Sequence, residues 1–270
     1  MNIESFMEKA LNPSLENEER YENYEKMYSQ YKENNEGDEG WIEARTELRK
    51  KFSNPPTNQQ KNKYGLKKKD IKKSFFEIKK NIPEKYKEEK DEYSLPAEIF
   101  YQNTYSVLKN ITAEGEEIME IGCGKQPKFI NLLNKNNFPT VGIDPVLENS
   151  EHPKAFKTTM KNLPKTLKSQ EYKLILANMV YSINYTYEFL EKFSWELNHE
   201  KKLLKKISSL LKPKGHLILI DDIGTIFKKK NLEKHFKIEL FEKDVPCIDF
   251  KENKIKTYQR ITLLEKTKEK

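Results

Sequence analysis

The stretch IMEIGCG (residues 118–124) decides the fold, because an apolar run passes directly into a turn that contains two glycines. Glycine is scarce, with nine in the whole chain, so Gly122 and Gly124 stand out. A turn from a strand into a helix directs backbone N–H groups at a ligand, and glycine removes the side chain that would block its approach. Twenty residues beyond Gly124, a second apolar run ends at Asp144, where an acid accepts hydrogen bonds from both hydroxyls of a ribose. The pattern predicts a strand–turn–helix–strand unit that holds a ribose-containing ligand.

Outward from this stretch, short β-branched runs alternate with helical segments, which is typical of parallel strands covered on both faces. One helix is clear, because Lys201–Leu211 places five apolar side chains on one face and precedes Pro213 and Gly215. The last two runs are joined by Glu242–Thr257 without a helical stripe, so we predict an antiparallel hairpin at the sheet edge. The runs predicted as strands are Ile118–Ile121, Thr140–Ile143, Ala155–Thr158, Leu174–Ala177, Leu217–Ile220, Ile238–Phe241 and Tyr258–Leu264.

The first ninety residues show a different pattern, in which bulky aromatic residues recur at helical spacing. Four tyrosines between Tyr21 and Tyr31 fall on one face of a predicted helix. A second stripe runs from Trp41 to Phe52 and a third from Ile71 to Ile78, each ended by a nearby proline. We predict that residues 1–93 form a charge-rich helical cap or lid, docked on a second domain of residues 94–270.

Composition excludes several classes of protein. Charged residues make up 34% of the chain, and the net charge is +7. The apolar runs fall far short of the roughly 18 residues that cross a bilayer, and the first residues lack the pattern of a secretory signal. Two cysteines exclude a disulfide framework, and four scattered histidines predict no metal site. We therefore expect a cytoplasmic protein without a membrane partner.

Four segments resemble the class I S-adenosylmethionine-dependent methyltransferases. IMEIGCG (residues 118–124) resembles the first motif of the family, and GID (residues 142–144) resembles its second-strand acid. YKLILAN (residues 172–178) resembles the fourth strand, and LLKPKGHLILI (residues 210–220) resembles the helix–turn–fifth-strand segment. The resemblance covers residues 94–264. It implies an α/β fold with a Rossmann-like, mostly parallel seven-stranded sheet and a terminal antiparallel hairpin, to which the helical cap predicted above is an addition, and it implies S-adenosylmethionine as the cofactor.

The resemblance also implies a role for each residue of the cofactor motifs. Glu120 would hold the amino end of the methionyl group, and Asp144 would bind the ribose. Gly122 and Gly124 would let the backbone approach the cofactor, with Cys123 between them as a small loop residue.

Further cofactor contacts are suggested by position alone. Thr159 and Met160 follow the third predicted strand, where a residue of the family contacts adenine. Tyr101 and Tyr105 lie on the helix before the first strand, where an aromatic face would attract a sulfonium cation. Helix packing explains both tyrosines equally well.

Candidates for catalysis follow the fourth predicted strand. Asn178 and Tyr181 lie where residues of the family face the substrate, although no Asp-Pro-Pro-Tyr-like tetrad is present. Asn178 is also a candidate cofactor contact, and packing at the rim explains Tyr181 equally well. Cys123 and Cys247 do not form the pair used in cysteine-relay methylation. The sequence therefore identifies no firm catalytic residue, and methyl transfer requires mainly alignment and exclusion of water.

Two departures from common patterns bear on the cofactor and the reaction. No glycine follows at Gln126 or Pro127 to complete the G-x-G-x-x-G pattern of a dinucleotide-binding loop, which argues against NAD. Pro127 gives a loop similar to that of nicotianamine-like synthases, which transfer the aminocarboxypropyl arm instead of methyl. A similar loop occurs in some ribosomal RNA methyltransferases that carry an N-terminal helical domain. Alternatively, Pro127 merely starts the helix, where its missing N–H has no cost.

Three functions are consistent with the sequence. The favoured one is methyl transfer to a small molecule under a helical lid. An alternative is an RNA methyltransferase in which nine lysines of Lys61–Lys80 bind phosphates, although this run contains no arginine. A non-enzymatic partner subunit is the third, and the intact cofactor motifs argue against it. The oligomeric state and the methyl acceptor do not follow from the sequence.

Overall fold

A seven-stranded sheet forms the centre of the protein. The computed structural model of the chain describes residues 2–35, 40–83, 95–148, 152–188, 195 and 198–267. Across the sheet the strands follow the order β3-β2-β1-β4-β5-β7-β6. Strands β1 to β5 are parallel, and β7 is antiparallel to both β5 and β6. The predicted Rossmann-like fold and its terminal hairpin are confirmed. The strands are β1 (Ile118–Ile121), β2 (Thr140–Ile143), β3 (Ala155–Phe156), β4 (Tyr172–Asn178), β5 (Leu211–Asp221), β6 (Phe236–Asp249) and β7 (Lys254–Lys266).

Helices precede, connect and cover the strands. The predicted helix Lys201–Leu211 is confirmed by α11. Within the described residues, no helix is both long and apolar enough to cross a bilayer. The described helices are α1 (Ile3–Leu11), α2 (Asn17–Asn35), α3 (Trp41–Phe52), α4 (Asn58–Lys63), α5 (Lys68–Asn81), α6 (Ala97–Phe100), α7 (Gln102–Ile111), α8 (Lys128–Lys135), α9 (Lys165–Lys168), α10 (Ile183–Glu188), α11 (Glu200–Leu210) and α12 (Lys229–Leu232).

Each face of the sheet is covered by its own hydrophobic cluster. Along β4, Leu174 and Leu176 belong to one cluster, whereas Ile175 and Ala177 belong to the other. Successive side chains of a strand point to opposite faces, so the apolar run of β4 is buried on both sides. This burial explains why the sequence shows continuous apolar runs instead of polar alternation.

The last three strands are longer than the sequence predicts. Strand β5 begins at Leu211, which the apolar stripe had placed in the preceding helix, and β6 continues to Asp249. Glu242 and Asp244 lie within β6, yet both are buried. Acidic residues do not fit a strand pattern, so the extension of β6 was missed. The structure shows that ion pairs to arginines make this burial tolerable.

The first three helices form a small aromatic cluster of their own. The Trp41 ring lies 5.2 Å from the ring of Tyr28 and 5.1 Å from that of Tyr31, measured between ring centroids. Met7 and Met27 complete this cluster. The predicted tyrosine stripe is confirmed in this part. Tyr21 differs, because its ring stacks at 5.3 Å on Tyr187 of α10 and thereby joins α2 to the sheet domain.

Helix α5 belongs to a different part of the core. Ile71, Phe75 and Ile78 are buried in the same hydrophobic cluster as β1, β4 and α7. The N-terminal ninety residues are therefore not one body, because α1–α3 pack among themselves while α5 packs on the face of the sheet. The predicted boundary between residues 93 and 94 lies outside the described residues.

Four arginines connect the N-terminal helices to the sheet. They are the only arginines among the fifty basic residues of the chain, and all four are buried. A guanidinium group is planar and carries five donors, so it can bridge two carboxylates in a way that a lysine ammonium cannot. We call this group the arginine cluster, and its members are Arg20, Arg45, Arg49, Arg260, Asp222, Glu242 and Asp244.

Arg49 of α3 bridges two carboxylates at the centre of the arginine cluster. Its Nη1 donates to Asp222 Oδ1 at 2.7 Å, and its Nη2 donates to Asp244 Oδ1 at 2.8 Å. Arg45, one turn earlier, pairs with the other oxygen of Asp222. Helix α3 is therefore held to the residue that directly follows β5.

Arg20 and Arg260 share the remaining carboxylate of the cluster. Arg20 of α2 makes a bidentate pair with Glu242, at 3.0 and 2.8 Å. Arg260 of β7 donates to Glu242 at 3.1 Å and also to the carbonyl oxygens of Leu11 and Ile223, at 2.7 and 2.8 Å. These bonds join α1 and α2 to the loop after β5.

Candidate functional site

The predicted cofactor residues come together at the carboxyl ends of β1, β2 and β4. These three strands are neighbours in the sheet, and Glu120 of β1 pairs in register with Gly142 and with Leu176. Glu120 is buried, and its Oε1 accepts a hydrogen bond of 3.2 Å from Nδ2 of Asn178. Ligands of open parallel sheets bind at this edge, beside the strand where the order reverses.

The two loop glycines have a left-handed backbone. Gly122 has a φ of 77° and Gly124 a φ of 75°. A Cβ atom on Gly122 would lie 1.8 Å from Cγ2 of Val180, whereas a Cβ on Gly124 would meet nothing closer than 4.0 Å. Gly122 is therefore required for packing against the loop after β4, and Gly124 leaves open space in front of the backbone.

Asp144 closes the loop from the β2 side. Its Oδ2 accepts the N–H of Gly124 at 2.9 Å, and its Oδ1 accepts the N–H of Val146 at 2.7 Å. An acid at the end of the second strand is placed to accept hydrogen bonds from the hydroxyls of a ribose. The acid and the open glycine turn therefore fit the ribose and the methionyl end of S-adenosylmethionine.

Cys123 contributes its backbone to the turn, while its side chain is buried. The thiol lies in a cluster with Ile130, Leu147 and Ala155. Burial, and then the negative charge of Glu120, raises the pKa of Cys123 well above its ordinary value. The thiol stays protonated, and a nucleophilic role has no support in its surroundings.

The loop after β4 begins with two unusual features. Met179 has a φ of 59°, a left-handed backbone that is unfavourable for a residue other than glycine. Among the described residues, Oδ1 of Asn178 has no hydrogen-bond partner, although Asn178 is buried. The ring of Tyr181 is buried and lies 5.0 Å from the ring of Phe227, which fits the packing alternative for this residue.

The remaining candidates divide between core and surface. The Met160 side chain is buried among apolar residues of the sheet face, and Thr159 is half-buried. The Tyr101 ring stacks on Phe129 of α8, with the ring centroids 4.4 Å apart and the planes within 5°. Tyr105 is buried in the cluster around α5 and α7. Packing therefore accounts for the visible contacts of Met160, Tyr101 and Tyr105.

Pro127 directly precedes α8. Its carbonyl oxygen accepts the N–H of Asn131 at 3.2 Å, one of the first bonds of that helix. Pro127 is therefore the N-cap residue of α8, one position before the first helical turn in which the simpler interpretation places it. Within the described residues, no group of three or more His, Cys, Asp or Glu side chains is arranged to hold a metal ion.

Sequence reasoning missed a second set of residues beside the site. Ser182 and Asn184 contact Asp222, which links the loop after β4 to the arginine cluster. The available signal was the pair of acids that ends the apolar run of β5, Asp221 and Asp222. Its meaning could not be inferred, because the matching arginines lie in the first fifty residues.

The fold and the site define a class I methyltransferase domain, and a family comparison agrees. Residues 95–228 match the family model described as a methyltransferase domain. The chain therefore carries a methyltransferase domain of this family, and it is an enzyme that uses S-adenosylmethionine. No curated protein matches the sequence at a significant level.

Solved structures of methyltransferases are similar to this chain at low identity. The N-methyltransferase NodS from Bradyrhizobium japonicum WM9, in complex with S-adenosyl-L-homocysteine, is 12% identical with a TM-score of 0.44, over 74% of this chain and 99% of that one. TrmN from Thermus thermophilus is 16% identical with a TM-score of 0.40, over 62% and 48%. An S-adenosylmethionine-dependent methyltransferase from Methanosarcina mazei is 15% identical with a TM-score of 0.40, over 60% and 98%. All three scores lie below 0.5, so these similarities identify no substrate for this chain.

Proposed function

We propose that this protein transfers the methyl group of S-adenosylmethionine to a small molecule bound beside the loop after β4. The observation that supports this is the convergence of Glu120, Asp144, the glycine turn and Asn178 at one edge of three neighbouring strands. When bound, S-adenosylmethionine supplies an electrophilic methyl group on a sulfonium. The chain then has to orient the acceptor and exclude water.

The proposed roles follow from the donors and acceptors at the site. Asp144 accepts the ribose hydroxyls, and Glu120 faces the ammonium end of the methionyl group. Thr159, which is half-buried, is the better placed of the two candidates for the adenine. Asn178 donates through Nδ2 to Glu120, which leaves Oδ1 to accept a hydrogen bond from an N–H or O–H of the acceptor.

A small acceptor is favoured by what surrounds this edge of the sheet. Helices α1–α3 are fixed through the arginine cluster to the loop that follows β5, the strand next to β4. Helix α2 also meets α10, which follows the acceptor loop, through the stacked rings of Tyr21 and Tyr187. Fixed helices on this side suit a compact acceptor better than a long polymer.

Calorimetry with S-adenosylmethionine tests the site. We expect the wild-type chain to bind, and Asp144→Ala to weaken binding by about tenfold or more, because hydrogen bonds to a charged group contribute about 1.5–3 kcal/mol each. Asp249→Ala is the matched control, since Asp249 likewise accepts the N–H two residues ahead but lies at the tip of the β6–β7 hairpin. Equal affinities for wild type and Asp144→Ala would reject the site.

The by-product of turnover identifies the reaction. The protein is incubated with S-adenosylmethionine and either a small-molecule extract or bulk RNA. Formation of S-adenosylhomocysteine with the small-molecule fraction supports methyl transfer to a small acceptor. Formation of methylthioadenosine would instead indicate transfer of the aminocarboxypropyl arm.

RNA is the second candidate substrate, and a specific feature of α5 favours it. The Phe76 ring is 45% exposed, and exposed lysines flank it at helical spacing on the same face: Lys69, Lys72, Lys73 and Lys80. A basic surface with an exposed aromatic ring is a known way to bind single strands, because phosphates meet the cations and a base stacks on the ring. Beside this surface, the contact with the ammonium group of Lys251 lowers the pKa of Lys79. A bridging phosphate would relieve this repulsion.

Fluorescence anisotropy with a single-stranded RNA oligonucleotide tests this second candidate. Changing Lys69, Lys72 and Lys73 to Glu should weaken binding by about tenfold or more and reduce its salt dependence. The matched control changes three lysines of α11 to Glu, namely Lys201, Lys202 and Lys205, because these lysines are also exposed on one helix. Equal losses in both variants would mean only general charge attraction.

A further inference from the structure

The loop after β4 and the loop after β5 are bonded into one unit. The backbone N–H of Ile183 donates to the carbonyl oxygen of Gly224 at 2.8 Å, and that of Ile226 donates to the carbonyl oxygen of Tyr181 at 2.8 Å. Ser182 also forms an antiparallel bridge with Thr225. The position of residues 178–184 therefore depends on where residues 221–226 are held.

Asp222 is the point at which this unit meets the arginine cluster. Its backbone N–H donates to Oγ of Ser182 at 3.2 Å, and its Oδ2 accepts Nδ2 of Asn184 at 3.3 Å. The same side chain accepts from Arg45 and Arg49 of α3. One buried carboxylate thus links an N-terminal helix to the loop that follows Asn178.

The conformation of this loop has to be imposed from outside. Met179 has a left-handed backbone, which costs about 1–2 kcal/mol for a residue with a Cβ and persists only where the surroundings hold it. Two further bonds that hold the loop come from its own neighbours, since Ser182 Oγ donates to Asn184 Oδ1 at 2.6 Å and Thr186 Oγ1 donates to the Val180 carbonyl at 3.0 Å. The pairs to Asp222 tie this folded loop to α3.

We propose that Arg45 and Arg49 are positioning residues for the methyl acceptor, because they hold Asp222 and, through it, Ser182 and Asn184. This inference rests on the proposed function, in which the loop after β4 faces the acceptor. It makes α3 part of the working enzyme rather than a lid that merely covers it. The two arginines act on the loop and do not themselves touch the substrate.

Hydrogen exchange of the loop in the full-length chain tests the proposal. Arg45→Met removes a cation from Asp222, and we expect amide exchange across residues 179–188 to accelerate by about tenfold, the effect of losing about 1.4 kcal/mol of local stability. Thr46→Val is the matched control, because Thr46 is buried on the same helix but donates to the Lys256 carbonyl of β7 instead of to Asp222. Each variant is measured at the same number of degrees below its own melting temperature. Under these conditions the control should show less than about threefold acceleration of amide exchange.

A second variant keeps the test decisive if the loss of an arginine prevents folding. Asn184→Ala cuts the link from the loop side, at a half-buried residue outside the arginine cluster. It should accelerate the same amides while the melting temperature stays close to that of the wild type. In the double variant that combines Arg45→Met with Asn184→Ala, these amides should exchange no faster than in the faster of the two single variants. The reason is that both changes break the same link.

Conservative replacement separates a positioning role from general packing. Arg45 reaches Asp222 through one nitrogen, so Arg45→Lys should restore most of the protection of residues 179–188. Arg49 uses two nitrogens to bridge Asp222 and Asp244, so Arg49→Lys should not restore it. Equal protection in both lysine variants would contradict the proposal.

Uniform acceleration across the chain in Arg45→Met, or equal acceleration in Thr46→Val, would overturn the inference. The exchange measurement uses no cofactor, whereas the calorimetry above uses S-adenosylmethionine. A wild-type chain that fails to bind S-adenosylmethionine rejects the proposed function alone, and the two failures remain distinguishable.

Discussion

Buried carboxylates occupy two neighbouring regions near the carboxyl edge of the sheet, and they meet different donors. At β1 and β2, Glu120 and Asp144 accept hydrogen bonds from a side-chain amide and from backbone N–H groups. Beside β5 and within β6, Asp222 and Asp244 accept from guanidinium groups. An amide donor leaves the charge of a carboxylate in place, whereas a guanidinium cancels it. The same residue types therefore suit a ligand in one region and the docking of helices in the other.

The difference matters because burying a charge is expensive unless it is paired. In the arginine cluster every carboxylate has a cation within hydrogen-bond distance, so the group contributes to holding α1–α3 in place. At the cofactor edge, Glu120 and Asp144 accept from uncharged N–H groups, and a bound ligand would bring hydroxyl and ammonium groups to the same edge. Changes in the two regions should therefore affect different properties of the protein.

The largest effect is expected at the centre of the arginine cluster. Arg49→Met leaves two buried carboxylates with fewer partners and should reduce the free energy of unfolding by about 3–5 kcal/mol. Lys51→Met on the same helix is the control, because Lys51 is 59% exposed and its pair with Glu4 should contribute less than about 1 kcal/mol. Urea denaturation measures both. A cost below about 1 kcal/mol for Arg49→Met would remove the distinction between the regions.

A middle-sized effect is expected at the glycine turn. Gly122→Ala forces a Cβ against Val180 at a left-handed φ and should reduce the free energy of unfolding by about 1–3 kcal/mol. Gly124→Ala has the same backbone strain without the clash, so it should cost less stability and lose more affinity for S-adenosylmethionine. Thermal unfolding of the two variants measures the loss of stability, which should be larger for Gly122→Ala. Calorimetry measures the loss of affinity, which should be larger for Gly124→Ala. Equal effects of both variants on both measurements would contradict it.

The smallest effect concerns the one acid near the cluster that has no ion pair in the described residues. Asp221 is buried beside Glu242, and both of its carboxylate oxygens have no hydrogen-bond partner within the described part of the chain. Burial, and then the charge of Glu242, raises the pKa of Asp221 well above its ordinary value. Folding is therefore weakened as the pH rises from that ordinary value through the raised one.

Asparagine at this position would stay neutral. Asp221→Asn should raise the melting temperature by about 2–4 °C at pH 8, the shift that about 1 kcal/mol produces in a chain of this size, and by less at pH 4. Asp222→Asn is the control and should lower the melting temperature, because the charge that it removes is paired with Arg45 and Arg49. A gain for Asp221→Asn that is larger at pH 4 than at pH 8 would refute the assignment.

Much of the fold followed from local sequence patterns. The positions of β1, β2 and β4, the hairpin at the sheet edge and helix α11 are confirmed, because each depends on periodicity or on a breaker within a few residues. The tyrosine stripe from Tyr24 to Tyr31 is confirmed for the same reason. The prediction of S-adenosylmethionine as the cofactor is also confirmed. It could be made from the sequence because the glycine turn and Asp144 belong to one strand–turn–helix–strand unit.

Other features could not be predicted from the same patterns. Tyr181 and Met160 occupy plausible positions in the sequence, yet their side chains are buried in the core, and only packing decides on which face a loop residue falls. The extension of β6 through Glu242 and Asp244 contradicts strand propensity, because acids are tolerated there only with arginine partners. The domain boundary predicted between residues 93 and 94 stays a prediction.

The sequence by itself determined the sheet, the glycine turn and the cofactor, because these depend on residues close together along the chain. Only the tertiary structure decided what the arginines do. Arg20 meets Glu242 across 222 positions of sequence, and Arg45 meets Asp222 across 177. No local periodicity records such a pairing, because two opposite charges far apart in sequence become partners only when the folded chain brings them together and excludes water.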